Sequence, residues 1–216
     1  MCANESEKMN KSGKEQKLLE FFKIALELKK IKRTGWIDRK IKNPESIADH
    51  SYQLALMSLI FGKELRINMN RAVKMAIVHD LAESIVGDIS VDQRHSYKNH
   101  TGIKPTITDN EKKILEDNAM KKITSLLNKN QAKEIMSLYK EYEERKTRTA
   151  RIVKELDSLE VIFQALEYKR ENQKNEGLED FFLYRTTFNP IKTKELQKVL
   201  EIILKEKNKL ARKKSK

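Results

Sequence analysis

Three stretches of this chain carry apolar residues at helical spacing, and each stripe is interrupted by a histidine or an aspartate. In the first, Ile47, His50, Leu54, Met57 and Phe61 follow one another at steps of 3, 4, 3 and 4, which is one face of an α-helix. In the second, AVKMAIVHDLAESIVGD, Val73, Ile77 and Asp80 share one face while Met75, His79, Ala82 and Val86 share the next. In the third, Ala150, Val153, Asp157, Val161 and Ala165 form a stripe broken only by Asp157. A fold that buries these faces also buries two imidazoles and two carboxylates. Such groups each cost about 1–3 kcal/mol if left without a partner. One divalent cation satisfies all four together, because imidazole and carboxylate are ligands that borderline and hard ions accept. The stripes therefore predict helices that converge on a His50, His79, Asp80, Asp157 metal centre.

The rest of the chain is compatible with that packing. Six glycines and three prolines are few for 216 residues, 36% of which are charged, and no segment alternates as a strand does. The expectation is an all-α fold, a single compact bundle of about six to seven helices. The first helix is expected over 14–32, with Leu18, Phe22, Ala25 and Ile31 turned inward, and Gly35 permits a turn in the linker RTGWIDRKIKN. Asn43-Pro44-Glu45 reads as the N-cap and first turn of a second helix reaching about Leu65. Asn68 or Asn70 caps a third helix that ends near Val86-Gly87. Residues 88–108 read as a long loop, and loops of that length are uncommon unless functional or disordered. Thr108 and Glu111 have the spacing of a capping box for a fourth helix. A fifth over 131–145, a sixth over 147–172 and a final basic helix beyond Pro190 complete the bundle. As domains, 1–13 is expected to be a flexible tail, 14–205 the folded unit and 206–216 a basic tail.

The net charge of +13 raises nucleic-acid binding as an alternative. The excess is confined to the ends: 12 basic against 6 acidic residues over 1–42, and 11 against 3 over 185–216. The middle, 43–184, has 22 against 23, so the segment with the chemistry is nearly neutral. That distribution favours solvated termini over a nucleic-acid partner. No apolar run is long enough to span a membrane, the start MCANESEKMNKSGK has no apolar core of a secretory signal, and the single cysteine, Cys2, can close no internal disulfide. A cytoplasmic protein is the expectation.

The order His50, His79-Asp80, Asp157 resembles the signature of the HD-domain superfamily of metal-dependent phosphohydrolases. The blocks RTGW (33–36), NPESIADHSYQLA (43–55), AIVHDLAESIVGDI (76–89) and KELDSLEVIFQALEY (154–168) are similar to its 5′-deoxynucleotidase branch, of the HD domain-containing protein 2 type, across roughly residues 18–200. The resemblance implies hydrolysis of deoxyribonucleoside 5′-monophosphates to deoxynucleoside and phosphate. It implies metal ligands His50, His79, Asp80 and Asp157, with Co2+, Mn2+ or Mg2+ favoured and Zn2+ or Fe2+ admissible. Glu83 and Asp88 would be catalytic, and with the Ile89 carbonyl they could hold a second ion. Arg33 would take the 5′-phosphate through its rigid fork. Trp36 would present an indole wall where a ribose 2′-hydroxyl would otherwise sit. Relatives are commonly dimers, so a homodimer is implied, with the fifth and last helices as candidate faces. His95 and His100 fall outside the family pattern and read as surface residues. The alternatives are another HD phosphohydrolase with a different nucleotide substrate, or a basic nucleic-acid-binding protein with a vestigial site. Glu83-Ser84 does not match the Glu-Asp of alarmone hydrolases, and no GYP element of cyclic-dinucleotide enzymes occurs.

Overall fold

The computed structural model describes residues 2–89, 107–171, 177–183 and 191–214. Every regular element in them is helical: α1 (Cys2–Leu26), a 3-10 turn (Glu27–Lys29), α2 (Thr34–Asp38), α3 (Ile47–Glu64), α4 (Met69–Val78), α5 (Glu83–Val86), α6 (Asp109–Thr124), α7 (Lys129–Glu144), α8 (Arg148–Arg170), α9 (Leu178–Leu183) and α10 (Lys194–Lys214). The all-α expectation holds. Helices exceed the expected six to seven because α2, α5 and α9 are pieces of one or two turns.

Local sequence sets most boundaries. Thr108 and Glu111 form the expected capping box, Asn128 and Gln131 form another at α7, and Asn68 and Thr147 cap α4 and α8. The start of α3 differs from expectation. Ser46 caps it, its hydroxyl accepting from Asp49 N while the Asp49 carboxylate accepts from Ser46 N, so the helix begins at Ile47. Asn43 instead turns the chain with a φ of 52°. The capping box wins because it satisfies two terminal N–H groups where a lone Asn satisfies one. The freed segment 44–46 runs beside 31–33, with Arg33 N donating to Glu45 O and Ile47 N donating to Ile31 O. This pairing draws Arg33 and Glu45 to the mouth of α3.

The third helix is also interrupted where the sequence predicts continuity. After Val78 the backbone tightens, Leu81 N donating to Val78 O and Glu83 N to Asp80 O, before α5 resumes and Gly87 ends it at φ 78°. The tight turn swings His79, Asp80 and Glu83 toward one point. Ile77, on α4, is 56% exposed, so only the Met75–His79–Ala82 face of that stripe is fully in the core.

α8 runs through the centre, packing against α3, α4, α7, α9 and α10. Leu54, Met75, Leu156, Leu159 and Ile162 belong to the main core. A second cluster, with Leu28, Ile47, Leu81, Met120, Ile123 and Tyr139, packs the α1 end against α6. Leu18 and Phe22, expected inward, are exposed, while Ala25 and Ile31, also expected inward, pack on that cluster together with Phe21 and Ile24. Gly35 lies inside α2, where an added Cβ would come within 3.3 Å of Phe181; its role is close approach. Among the described residues, exposed large apolar side chains gather on α1 (Leu18, Leu19, Phe22, Leu26) and α3 (Tyr52, Leu56, Leu59, Ile60). Among the described residues α10 exposes Ile202 and α7 no large apolar side chain.

Candidate metal centre

His50 and His79 are both deeply buried, at 0% and 4% exposure. Their ring centroids are 5.3 Å apart. His79 Nδ1 donates to Ala76 O at 2.8 Å, and since a carbonyl only accepts, the proton sits on Nδ1. His50 Nδ1 donates to Glu160 Oε2 at 2.5 Å. Both Nε2 atoms are thereby turned toward the same interior point, and neither has a hydrogen-bond partner. Carboxylates surround that point at close range but without hydrogen-bond alignment. Asp157 Oδ1 is 3.2 Å from His50 Nε2, while Asp80 Oδ2 is 3.0 Å from His79 Nε2 and 3.8 Å from His50 Nε2. Ligand atoms of His50, His79 and Asp157 all lie within 4.8 Å of one another. Buried nitrogens left unpaired beside carboxylates are costly unless a cation joins them. The donor set, two imidazoles and two carboxylates, fits a divalent metal ion.

The far side of Asp157 is occupied by the chain. Tyr142 on α7 donates to Asp157 Oδ2 at 2.8 Å, and Lys154 donates to the same oxygen at 2.8 Å and to the Tyr142 hydroxyl at 2.8 Å. Burial alone would push the Asp157 carboxyl up, but Lys154 and His50 outweigh it and hold it well below the usual range. Burial opposes ionisation of Asp80 too, and His79, His50 and Arg33 reverse that effect. For His50, burial and Arg33 disfavour the charged ring, yet Glu160 and Asp157 carry it up to about 10.

Glu83, 4% exposed, has an unpartnered Oε2. Burial, with Asp80 and Asp88 adding to it, raises its carboxyl well above the ordinary value. Lys112 from α6 stands 3.8 Å from Glu83 Oε1 and 3.0 Å from Glu116 Oε1, and opposes that rise. Asp88 reaches the opposite wall. Its Oδ2 accepts from Thr34 N at 2.5 Å and its carbonyl accepts from the Thr34 hydroxyl at 2.8 Å, which ties the end of α5 to the start of α2. Ile89 follows it, half-buried, at the end of that described segment. His95 and His100 lie outside the described residues.

Arg33 spans two carboxylates, with Nη1 3.7 Å from Asp80 Oδ2 and Nε 3.6 Å from Glu45 Oε1. Trp36 is 1% exposed, edge-on to Tyr168 and 4.1 Å from Phe181 between centroids. It therefore meets the site through its Nε1, which donates to Glu45 Oε1 at 2.8 Å, and shows no open face. Burial and Glu160 push the Glu45 carboxyl up to about 7.

An HD domain model matches residues 25–200. The chain belongs to the HD domain family. Among relatives it is 38% identical over 191 residues to the 5′-deoxynucleotidase HDDC2 of Xenopus laevis, covering 88% of each chain. It is 41% identical over 166 residues to the protein of that name in Danio rerio, covering 77% and 76%. Among solved structures, a Pyrococcus horikoshii OT3 protein superposes with a TM-score of 0.70 at 28% identity, over 87% of this chain and 99% of that one. A Magnetospirillum magnetotacticum MS-1 protein described as a predicted metal-dependent phosphohydrolase shares the fold, with a TM-score of 0.66 at 22% identity over 92% and 95%.

The residues that sequence reasoning missed are Glu160, Glu45, Tyr142, Lys154 and Lys112. Glu160 carried a signal, a carboxylate one turn after Asp157 amid Leu159, Val161 and Ile162. Tyr142 and Lys112 arrive from other helices and had none.

Proposed function

We propose that this HD domain protein is a divalent-metal-dependent 5′-deoxynucleotidase, hydrolysing deoxyribonucleoside 5′-monophosphates to deoxynucleoside and phosphate. The observation that carries the reading is the pair of buried, unpartnered Nε2 atoms of His50 and His79 beside Asp157 and Asp80, with Arg33 next to them. The name shared by the relatives supports the substrate class.

In this reading His50, His79, Asp80 and Asp157 hold the ion, with Co2+, Mn2+ or Mg2+ preferred. What such an ion supplies is Lewis acidity toward phosphate and a lower pKa for water. Arg33 grips the 5′-phosphate with two guanidinium donors. Glu83 Oε2 has no competing partner, so it is placed to align the attacking water and accept its proton. The proton then serves the departing 5′-oxygen. Asp88 fixes the loop that faces Arg33, and with Glu83 and Ile89 it is the candidate set for a second ion. Trp36 shapes the Arg33 pocket from behind through Glu45, narrowing the room beside the sugar. A homodimer is proposed through the exposed apolar stripes of α1 and α3. No described helix is long and apolar enough to cross a membrane, which agrees with a cytoplasmic setting.

The test is phosphate release from dAMP, dTMP and their ribose counterparts. Deoxy substrates are expected to be cleaved faster, with activity lost in EDTA and restored by Co2+, Mn2+ or Mg2+. Full activity in His79→Ala or Asp80→Ala would overturn the site assignment, and equal cleavage of ribonucleotides would overturn the sugar preference.

A further inference from the structure

One imidazole of this site is gripped at both ends by a single helix. Asp157 and Glu160 stand three residues apart on α8, so they project from the same side of it, one turn apart. Asp157 Oδ1 faces His50 Nε2 at 3.2 Å, and Glu160 Oε2 takes the proton of His50 Nδ1 at 2.5 Å. Glu160 is 1% exposed and His50 is 0% exposed, so water cannot replace either partner. Asp157 has a second purpose as a candidate ligand, whereas Glu160 is grouped with Glu45, whose carboxylate lies within 4.8 Å of ligand atoms of both Glu160 and His50.

A buried carboxylate beside another carboxylate is repelled, and an apolar residue there would pack at less electrostatic cost. Its presence there suits a task that only an acceptor at that spot performs. An imidazole has two nitrogens, and whichever holds the proton cannot bind a metal ion. His79 has its tautomer set by a backbone carbonyl, Ala76 O, one turn earlier in its own helix. The Nδ1 of His50 points across the bundle to α8, so it needs a side-chain acceptor. We propose that Glu160 is the positioning residue of the metal centre: it holds the His50 proton on Nδ1 and fixes the ring so that Nε2 is the ligand atom. The inference rests on the metal reading above and adds a residue to it.

The experiment is Mn2+ binding to metal-free wild type, Glu160→Gln and Glu160→Leu by titration calorimetry, together with nitrogen-15 NMR of the histidine rings in the Zn2+-loaded proteins. Losing such an outer partner typically weakens metal affinity about 10–100-fold, and Glu160→Leu is expected to show that loss. Glu160→Gln keeps an acceptor oxygen on Nδ1 and can turn its amide hydrogens to Glu45, so it is expected to recover most of the affinity. A purely structural residue would change the melting temperature of both variants without this split in binding. The NMR of loaded wild type is expected to show His50 protonated at Nδ1. Wild-type affinity in Glu160→Leu overturns the proposal. So does a loaded wild type bound through Nδ1, a result that needs no variant to fold. Wild-type protein that takes up neither ion would overturn the metal reading itself, which separates the two failures.

Discussion

His79→Ala separates the cost of building the site from the benefit of filling it. In metal-free protein the substitution loses the Nδ1–Ala76 O hydrogen bond and the edge contacts with His50 and Tyr142, whose centroids lie 5.3 and 5.0 Å away. The bond contributes about 0.5–1.5 kcal/mol, and removing the ring also removes an unpaired buried Nε2 that costs about 1–3 kcal/mol. A small cavity adds to the loss. The opposed effects leave the metal-free variant within about 2 kcal/mol of wild type. With Mn2+ at about 100 times its dissociation constant, wild type gains about 2.7 kcal/mol. For a domain of this size each kcal/mol moves the melting temperature about 2–4 °C, so the gain is about 5–11 °C. The variant, lacking one of four ligands, is expected to gain almost nothing. Thermal unfolding of both proteins in EDTA and in Mn2+ reads all four states. A variant stabilised by Mn2+ as much as wild type would refute the assignment of His79, whatever its activity.

Other outcomes follow from the same geometry. Because His50 is carried up to about 10, its ring is charged in metal-free protein at neutral pH, and an ion must displace that proton. Affinity therefore rises with pH below about 10; calorimetry in buffers of different ionisation enthalpy should find about one proton released per ion, and zero release would contradict this. Glu83→Gln is expected to lower kcat by about 10²–10⁴-fold while Mn2+ affinity at the His50–His79–Asp80–Asp157 site stays in place, so a kcat near wild type would remove Glu83 from proton transfer. Lys112 opposes the rise of the Glu83 carboxyl, so Lys112→Met should push that carboxyl higher still. A base that must be ionised then becomes active only at higher pH, and an unmoved acidic limb of the pH–rate profile would show that Lys112 does not act on it.

The parts of this site legible in the sequence are those encoded along one helix. His50 breaks a stripe whose neighbours Ile47, Leu54 and Met57 are buried, and Asp157 breaks one flanked by Val153 and Val161; periodicity alone placed both inward. What could not be read was the local geometry at chain turns. Asn43-Pro44-Glu45 has every mark of a helix start, and the Ser46–Asp49 box three residues later prevailed. The turn at 79–82 lies in a segment of good helical period, which tertiary contacts tightened by one hydrogen-bond register. Trp36 showed the limit of residue-type reasoning, since an indole beside an arginine suits a sugar wall and a buried anchor equally. Only its contacts with Tyr168, Phe181 and Glu45 tell these apart.

The distribution of satisfied and unsatisfied groups explains why those readings fail at the turns and succeed on the stripes. Three of the four candidate ligands are bonded on the side away from the centre, His79 by Ala76 O, His50 by Glu160 and Asp157 by Tyr142 with Lys154, and the two imidazoles are unbonded on the side facing it. A chain selected for stability alone would close those inner contacts by rotating a ring or substituting an apolar residue. Holding them open requires partners drawn from α4, α7 and α8 together, and such partners are assembled by packing, with no pattern along the chain to announce them. The apolar stripes are the part that folding itself demands, so they follow helical period. The tight turn after Val78 and the Glu160 bond serve the open centre, and they depart from local preference for that reason. The stability forgone in metal-free protein is returned when an ion binds, and this coupling is what the comparison of His79→Ala with wild type measures.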